Sequence, residues 1–331
     1  MLFIHKVTRL SLLTLSSFSL LGCGADTPAD QLIEYHKRIS RVQDAPQIDY
    51  QFQSAPLPRK RELYLTIPSM SIGLLDSYQL RQCGLFNLIA EKNSVLGKVA
   101  DEFRNYDYQV ALLEGLARCL ASNQLEPEIY QQLLDIEYNK KQQLSLHKWN
   151  LIYASDAMQA QLRGSGWLRE DIDQQVLKVS HALNHIQQTI GEPRSALKSV
   201  DAQETLEKQR VLGDLNYSLS NSAAYLDATT KQLLKYDKNI ICGKQRDTTT
   251  FRHLNNVFEQ QYIGKIQPYM AQLDGYYQQL TPQLTMFDAQ PELHNYYFPI
   301  VDAHQAFRSS TRRHVDYWQK LFKRCGRKVG R

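Results

Sequence analysis

The 331-residue sequence contains no catalytic or nucleotide-binding signature of a common enzyme class. It has no G-x-S-x-G nucleophile elbow, no glycine-rich phosphate loop and no paired-carboxylate signature, so nothing in it points directly to acyl or phosphoryl transfer. Charge of one sign is also lacking. Lys and Arg number 39 against 34 Asp and Glu, a formal net charge of +5, too mild a balance to argue for nucleic acid. No apolar run reaches the roughly 20 residues that a membrane-spanning helix needs. The cysteines include no C-x-x-C pair, the usual mark of a zinc site. With 43% hydrophobic residues the chain can nonetheless bury a full core, so it is a folded protein and not a disordered one.

What the sequence does have is an unusual beginning. Basic His5, Lys6 and Arg9 precede an apolar and hydroxyl run over Leu10–Leu21, which closes on Leu20-Leu21-Gly22-Cys23. This order reads as a secretory signal with a lipobox, removed after residue 22, with Cys23 as the lipid attachment residue. Gly24 and Ala25 follow, with no acidic residue beside Cys23 to act as an inner-membrane retention signal. The expectation is an outer-membrane lipoprotein facing the periplasm, with the inner membrane as the alternative. Several acyl chains would make the anchor close to permanent. Loss of Lys6 and Arg9 with the leader lowers the formal charge from +5 to +3.

Four cysteines remain beyond Cys23: Cys83, Cys119, Cys242 and Cys325. An even number in an oxidising compartment predicts two disulfides, with free or metal-bound thiols as the alternative. Of the three possible pairings, Cys83 with Cys119 joins neighbouring helices across a short connection. Cys242 with Cys325 joins two helix C-terminal ends, each beside a glycine.

Periodicity predicts an all-α fold, an elongated antiparallel bundle of long helices behind a proline-containing tether. Thr27-Pro28 opens a first helix with Leu32, Ile33, Ile39 and Val42 as its stripe. Pro46, Pro56, Pro58 and Pro68 then mark an extended tether that carries the basic triplet Arg59-Lys60-Arg61, with Leu63–Ile67 its only plausible strand. The apolar steps Ile172, Val176, Val179, Leu183, Ile186, Ile190 and then Leu212, Leu215, Leu219, Ser222, Leu226, Thr229, Leu233 define two clear seams. Another runs from Phe251 through Phe258, Tyr262, Ile266, Tyr269 and Leu273 to Leu280, with a bend expected near Gly264 and Pro268. A last helix spans about 300 to 324. Weaker signals cover 71 to 93, 102 to 122 and 128 to 155, the second with Tyr106, Val110, Leu113, Ala117 and Leu120 as its seam. Domain limits follow: signal 1–22, anchor and tether 23–68, helical domain 69–326, basic tail 327–331.

Candidate chemistry is sparse. His181 and His185 have the i,i+4 spacing of zinc ligands but fall off their seam and read as surface residues. His304 and His314 fall on the buried face of the last helix and read as satisfied core residues. The 19 tyrosines could form sugar-stacking walls, but in long helices they read first as seam fillers with hydroxyls at the water edge. No cofactor and no metal is expected.

The most distinctive text is Cys83-Gly-Leu-Phe-Asn-Leu-Ile-Ala-Glu91-Lys92-Asn93-Ser94-Val95-Leu96-Gly97-Lys98. It resembles the signature of an uncharacterised gammaproteobacterial lipoprotein family, a domain of unknown function in which Cys precedes E-[KR]-N-S-x-L-G-K and a second Cys follows. Cys119 fits that second place. The lipobox at Cys23 and the stretch from Phe258 to Leu284 are similar as well, and the resemblance implies no known activity. Physically, Glu91 to Ser94 reads first as a helix-ending corner. The alternative is a binding pocket to which Glu91 and Asn93 offer acceptors and an amide. The functional expectation is an envelope binding or scaffold module whose partner is the membrane through its anchor and an envelope protein or cell-wall component, with no nucleic acid. The alternative is an envelope enzyme acting on a peptidoglycan or lipid substrate, with Glu91, His304 or His314 as acid or base.

Overall fold

The structure, a computed structural model, describes residues 27–51, 56–69, 80–122, 125–243 and 246–327. The signal, Cys23, the first part of the helix expected over 71 to 93 (residues 71–79) and the tail beyond Arg327 lie outside the described residues. The fold is all-α, and no strand occurs among the described residues.

Helix α1 (Pro28–Val42) starts where Thr27 accepts from the Asp30 amide and Asp30 accepts in return from Thr27, a reciprocal cap with proline at the first turn. Its buried face is Leu32, Tyr35, His36 and Ile39, while Ile33 turns outward. The described part of the proline-rich stretch, residues 56–69, is tied to the helices that follow. Helix α2 (Lys60–Leu63) buries Leu63, and Lys60 reaches Glu102 at 3.3 Å and Asp156 at 2.9 Å.

The expected strand at Leu63–Ile67 is absent, and the reason is local. Leu65 donates its N–H to Asn150 Oδ1 at 2.8 Å and accepts from Asn150 Nδ2 at 2.8 Å, so a side-chain amide occupies the place of a partner strand. Trp149 Nε1 donates to the Leu63 carbonyl at 2.7 Å and completes the strap.

Next come α3 (Leu85–Asn93), α4 (Val95–Lys98), α5 (Glu102–Ala121) and α6 (Pro127–Trp149). The backbone then widens into π-helical bonding over Asn150–Ala154 before α7 (Asp156–Leu162). The main body follows: α8 (Asp173–Gly191), α9 (Val200–Lys208) and α10 (Leu212–Lys235). After these, α11 (Thr249–Val257) continues through a π-helical stretch, Phe258–Ile266, into α12 (Gln267–Leu284), and α13 (Ile300–Arg324) closes the chain. The bend expected near Gly264 and Pro268 takes the form of that π stretch. Pro268 has no N–H to donate and stands at the second residue of α12, where the π stretch gives way to α-helix.

The pairing of α10 with α13 is long and the two helices run in the same direction. Asp227 meets Arg313, Thr230 meets His314, and Asp237 just past α10 meets Arg324. The α11–α12 rod makes the return between them, which brings Cys242 and Cys325 together at one end. They form a disulfide with Cα atoms 5.1 Å apart. Helices α8 and α12 also run parallel, with Ile172 on Tyr276, Ser180 on Gln283 and Gln187 on Pro282. Where α7 ends above the start of α10, Gly164 and Gly213 touch backbone to backbone. A Cβ on Gly213 would lie 2.3 Å from the Arg163 carbonyl carbon, so no side chain fits there.

Among the described residues two hydrophobic clusters form. The large one contains every seam residue of α8 and α10 named above except Ser222, Thr229 and the half-buried margin at Ile190. The small one joins Leu80, Leu85, Leu112, Leu116, Cys119, Ile129 and Leu133. Helix α5 serves both: Phe103, Tyr106 and Val110 enter the large cluster, Leu112, Leu116 and Cys119 the small one. The seam expected through Leu113 and Ala117 is displaced for this reason, because the face of α5 that is covered changes partway along its length. The Cys83–Cys119 disulfide, with Cα atoms 5.2 Å apart, ties the turn before α3 to α5 at the edge of the small cluster.

The tyrosines fill seams, but several hydroxyls bond to backbone instead of reaching water. Tyr106 donates to Thr189, Tyr153 to Phe287 and Tyr269 to Leu168.

Candidate functional site

The Glu91–Lys98 text folds back on itself. Ser94 ends α3 and caps α4 by accepting from Gly97 N at 3.1 Å. Lys92 Nζ donates to the Gly97 carbonyl at 2.9 Å and also contacts Asn105 Oδ1. Asn105 in turn donates to the Ala100 carbonyl at 2.9 Å. A Cβ on Gly97 would lie 2.4 Å from the Glu91 carbonyl oxygen, so glycine is required for the corner to close. This geometry accounts for Lys92, Ser94 and Gly97 within the motif.

Behind the corner lies a cleft of about 530 Å³ between α3, α4, α5 and the start of α9. Glu91 lines its mouth, while Asn93 is exposed outside it. Lys92, Arg104, Tyr108, Asp107 and Lys198 line its polar side, and Leu88, Leu96, Ala111 and Val200 its apolar side. Lys92 passes 5.5 Å over the Tyr108 ring, and burial holds its ammonium below the usual lysine range. Asp107 accepts from Ser199 N at 2.7 Å and Val200 N at 3.2 Å, so its carboxylate is committed to the first turn of α9. Sequence reasoning missed Lys198 and Asp107. Asp107 and α9 meet across 92 residues, and the sole local signal is a serine at position 199 before a short polar helix.

The histidines are not gathered with Glu91. His314 is fully buried in the large core between Tyr35, Thr230 and Trp318. Thr230 Oγ1 spends its proton on the Leu226 carbonyl at 2.7 Å, so it accepts from His314 Nδ1–H at 2.9 Å. Nε2 is then the acceptor for the Tyr35 hydroxyl at 2.8 Å. The ring is therefore neutral, and burial pushes its pKa down to about 3. His304 is stacked on Tyr277 with centroids 3.5 Å apart and bonds Asp274 Oδ1 at 2.7 Å. Ten residues of helix, roughly 15 Å, separate the two rings. His181 is exposed, as expected. His185 is half-buried and its Nε2 meets the Lys198 carbonyl at 2.7 Å, which removes it from the surface pair. Among the described residues no group of His, Cys, Asp and Glu is placed to hold a metal ion.

A stability consequence follows for His314. Its folded pKa of about 3 lies below the ordinary 6.5, so the unfolded chain takes up the proton first as pH falls. The stabilisation is complete above pH 6.5 and is lost progressively below it. Between pH 7 and pH 5 this one group should cost about 2 kcal/mol. Urea denaturation at the two pH values measures the loss, and His314→Gln should flatten the dependence. An undiminished slope in that variant would contradict the assignment.

The geometry defines a disulfide-stapled, all-helical domain whose characteristic motif builds a glycine-closed corner beside a basic cleft. The chain belongs to the family described as "Protein of unknown function (DUF3080)", which matches residues 32–329. No curated protein and no solved structure matches it.

Proposed function

We propose that the protein is a lipid-anchored, periplasm-facing module of the cell envelope that binds an envelope protein or cell-wall component. The outer membrane is its destination, with the inner membrane as the alternative. The observation that carries this reading is Leu20-Leu21-Gly22-Cys23 followed by a chain whose other four cysteines are all paired as disulfides. No helix among the described residues is long and apolar enough to cross a membrane, which is compatible with attachment through lipid. The enzymatic alternative loses geometric support, because Glu91, His304 and His314 stand in three separate environments.

Cys23→Ser is the test. The expected result is an unprocessed or soluble chain without acyl mass, read by fractionation and intact mass spectrometry. A variant retained on the membrane without any acyl mass would refute lipid anchoring at this residue.

A further inference from the structure

The corner carries one feature that its capping role does not need. Val95, Leu96 and Val99 are 82, 81 and 76% exposed, three large apolar side chains within five residues, two in the motif and one just past it, held out in solvent. Such a patch is costly to leave in water and marks a contact surface. Behind it, Lys92 is bound by the neutral oxygens of Gly97 and Asn105 and lies over the Tyr108 ring, and no carboxylate forms a salt bridge to it among the described residues. Lys198 lines the same cleft; its side chain forms no salt bridge among the described residues, and its charge neighbour is the Glu114 carboxylate, already bonded to Ser195. Arg104 stands at the edge, held by Asp101 and Gln203. Of the carboxylates lining the cleft, Asp107 is saturated by the α9 amides and Glu91 is exposed at the mouth. The arrangement is an apolar tip in front of under-neutralised cations, with an apolar wall of Leu88, Ala111 and Val200 beside them. A cavity of about 530 Å³ exceeds what a free phosphate needs and suits a headgroup with the beginning of its chains.

We propose that this corner is a membrane-contact site, in which Val95, Leu96 and Val99 enter the interface of a bilayer and the cleft receives the phosphate of an anionic lipid on Lys92 and Lys198. The charge complementarity selects the anionic lipid, and the exposed apolar tip selects a bilayer over a soluble anion. The inference does not depend on acylation of Cys23.

The test uses the full chain carrying Cys23→Ser and Leu96→Trp, so that the reporter sits at the tip and any binding through the N-terminal segment is silent. In vesicles of phosphatidylglycerol and phosphatidylcholine in equal parts, the added tryptophan emission should shift to the blue and be quenched by brominated lipid. Phosphatidylcholine alone should give a much smaller response, and high salt should weaken the anionic one. Lys198→Gln, which removes no salt bridge, should lower the affinity about fivefold with a nearly unchanged melting temperature. Val95→Ser with Val99→Ser should abolish quenching. Lys92→Gln should act like Lys198→Gln or more strongly, and because it also loosens the corner, the other two variants decide the question. Absence of tip quenching in anionic vesicles, equal response to neutral ones, or parental affinity in Lys198→Gln would overturn the proposal. So would a Lys198-dependent response to glycerol 3-phosphate or inorganic phosphate with none to vesicles, which would make the cleft a soluble-anion site.

Discussion

Opening the Cys242–Cys325 bridge should destabilise the protein by about 4.5 kcal/mol, the chain-entropy value for a closed loop of 83 residues. The loop contains the whole α11–α12 rod and α13, so every long-range contact between α10 and α13 benefits from the restraint. The Cys83–Cys119 bridge closes only 36 residues, which corresponds to about 3.8 kcal/mol, and it acts within the small cluster. The measurement is thermal or urea unfolding of the oxidised chain against the double variants Cys242→Ser with Cys325→Ser and Cys83→Ser with Cys119→Ser. The first pair should show the larger loss and a single shifted main transition. Equal stability with and without reductant would contradict the expectation.

Trp318→Ala should cost about 3–5 kcal/mol. Trp318 is almost fully buried, packs on Phe258 at 4.6 Å and Phe322 at 5.5 Å between centroids, and brings its indole N–H within 3.0 Å of both the Tyr35 hydroxyl and His314 Nε2. Truncation leaves a cavity and also strips a donor from a polar group that no water reaches, so both penalties fall on one site. Trp318→Phe keeps most of the ring and loses the donor, and should cost about 1–2 kcal/mol. Urea midpoints of the two variants separate packing from hydrogen bonding. A loss from Trp318→Ala no greater than that from Trp318→Phe would show that the packing is not what matters there.

How far the sequence reveals this architecture differs from helix to helix. In α10 the apolar steps of three and four from Leu212 to Leu233 are legible because the helix is covered along its whole length by α1, α7, α12 and α13. Helix α9 was hidden. Only Ala202 and Leu206 are buried on it, too few for a period, and the groups that start it come from Asp107 on another helix. The buried Gln161 is equally silent in the sequence, yet it bonds Leu206 and Gln209 carbonyls with its amide and accepts from Val211 and Leu212, fixing the turn between α9 and α10. At the candidate site, the corner was legible because Lys92, Ser94 and Gly97 act on each other within a few residues. The cleft was not, because Lys198 reaches it from a distant part of the chain. The exposure of Leu96 is a tertiary fact: an apolar residue in a short polar stretch reads the same whether it is covered or bare.

The division of α5 between two clusters has a further consequence, for how the molecule opens. The turns bearing Phe103, Tyr106 and Val110 are locked to the large core, whereas those bearing Leu112, Leu116 and Cys119 belong to a cluster of seven buried residues. A small unit of this kind can detach at lower free energy than the whole. Amide exchange along this single helix would therefore fall into two classes, slow up to about Val110 and faster beyond it. The boundary places a hinge inside a continuous helix, and the corner bridges it: α3 enters the small cluster through Leu85, while Lys92 holds Asn105 on the locked part.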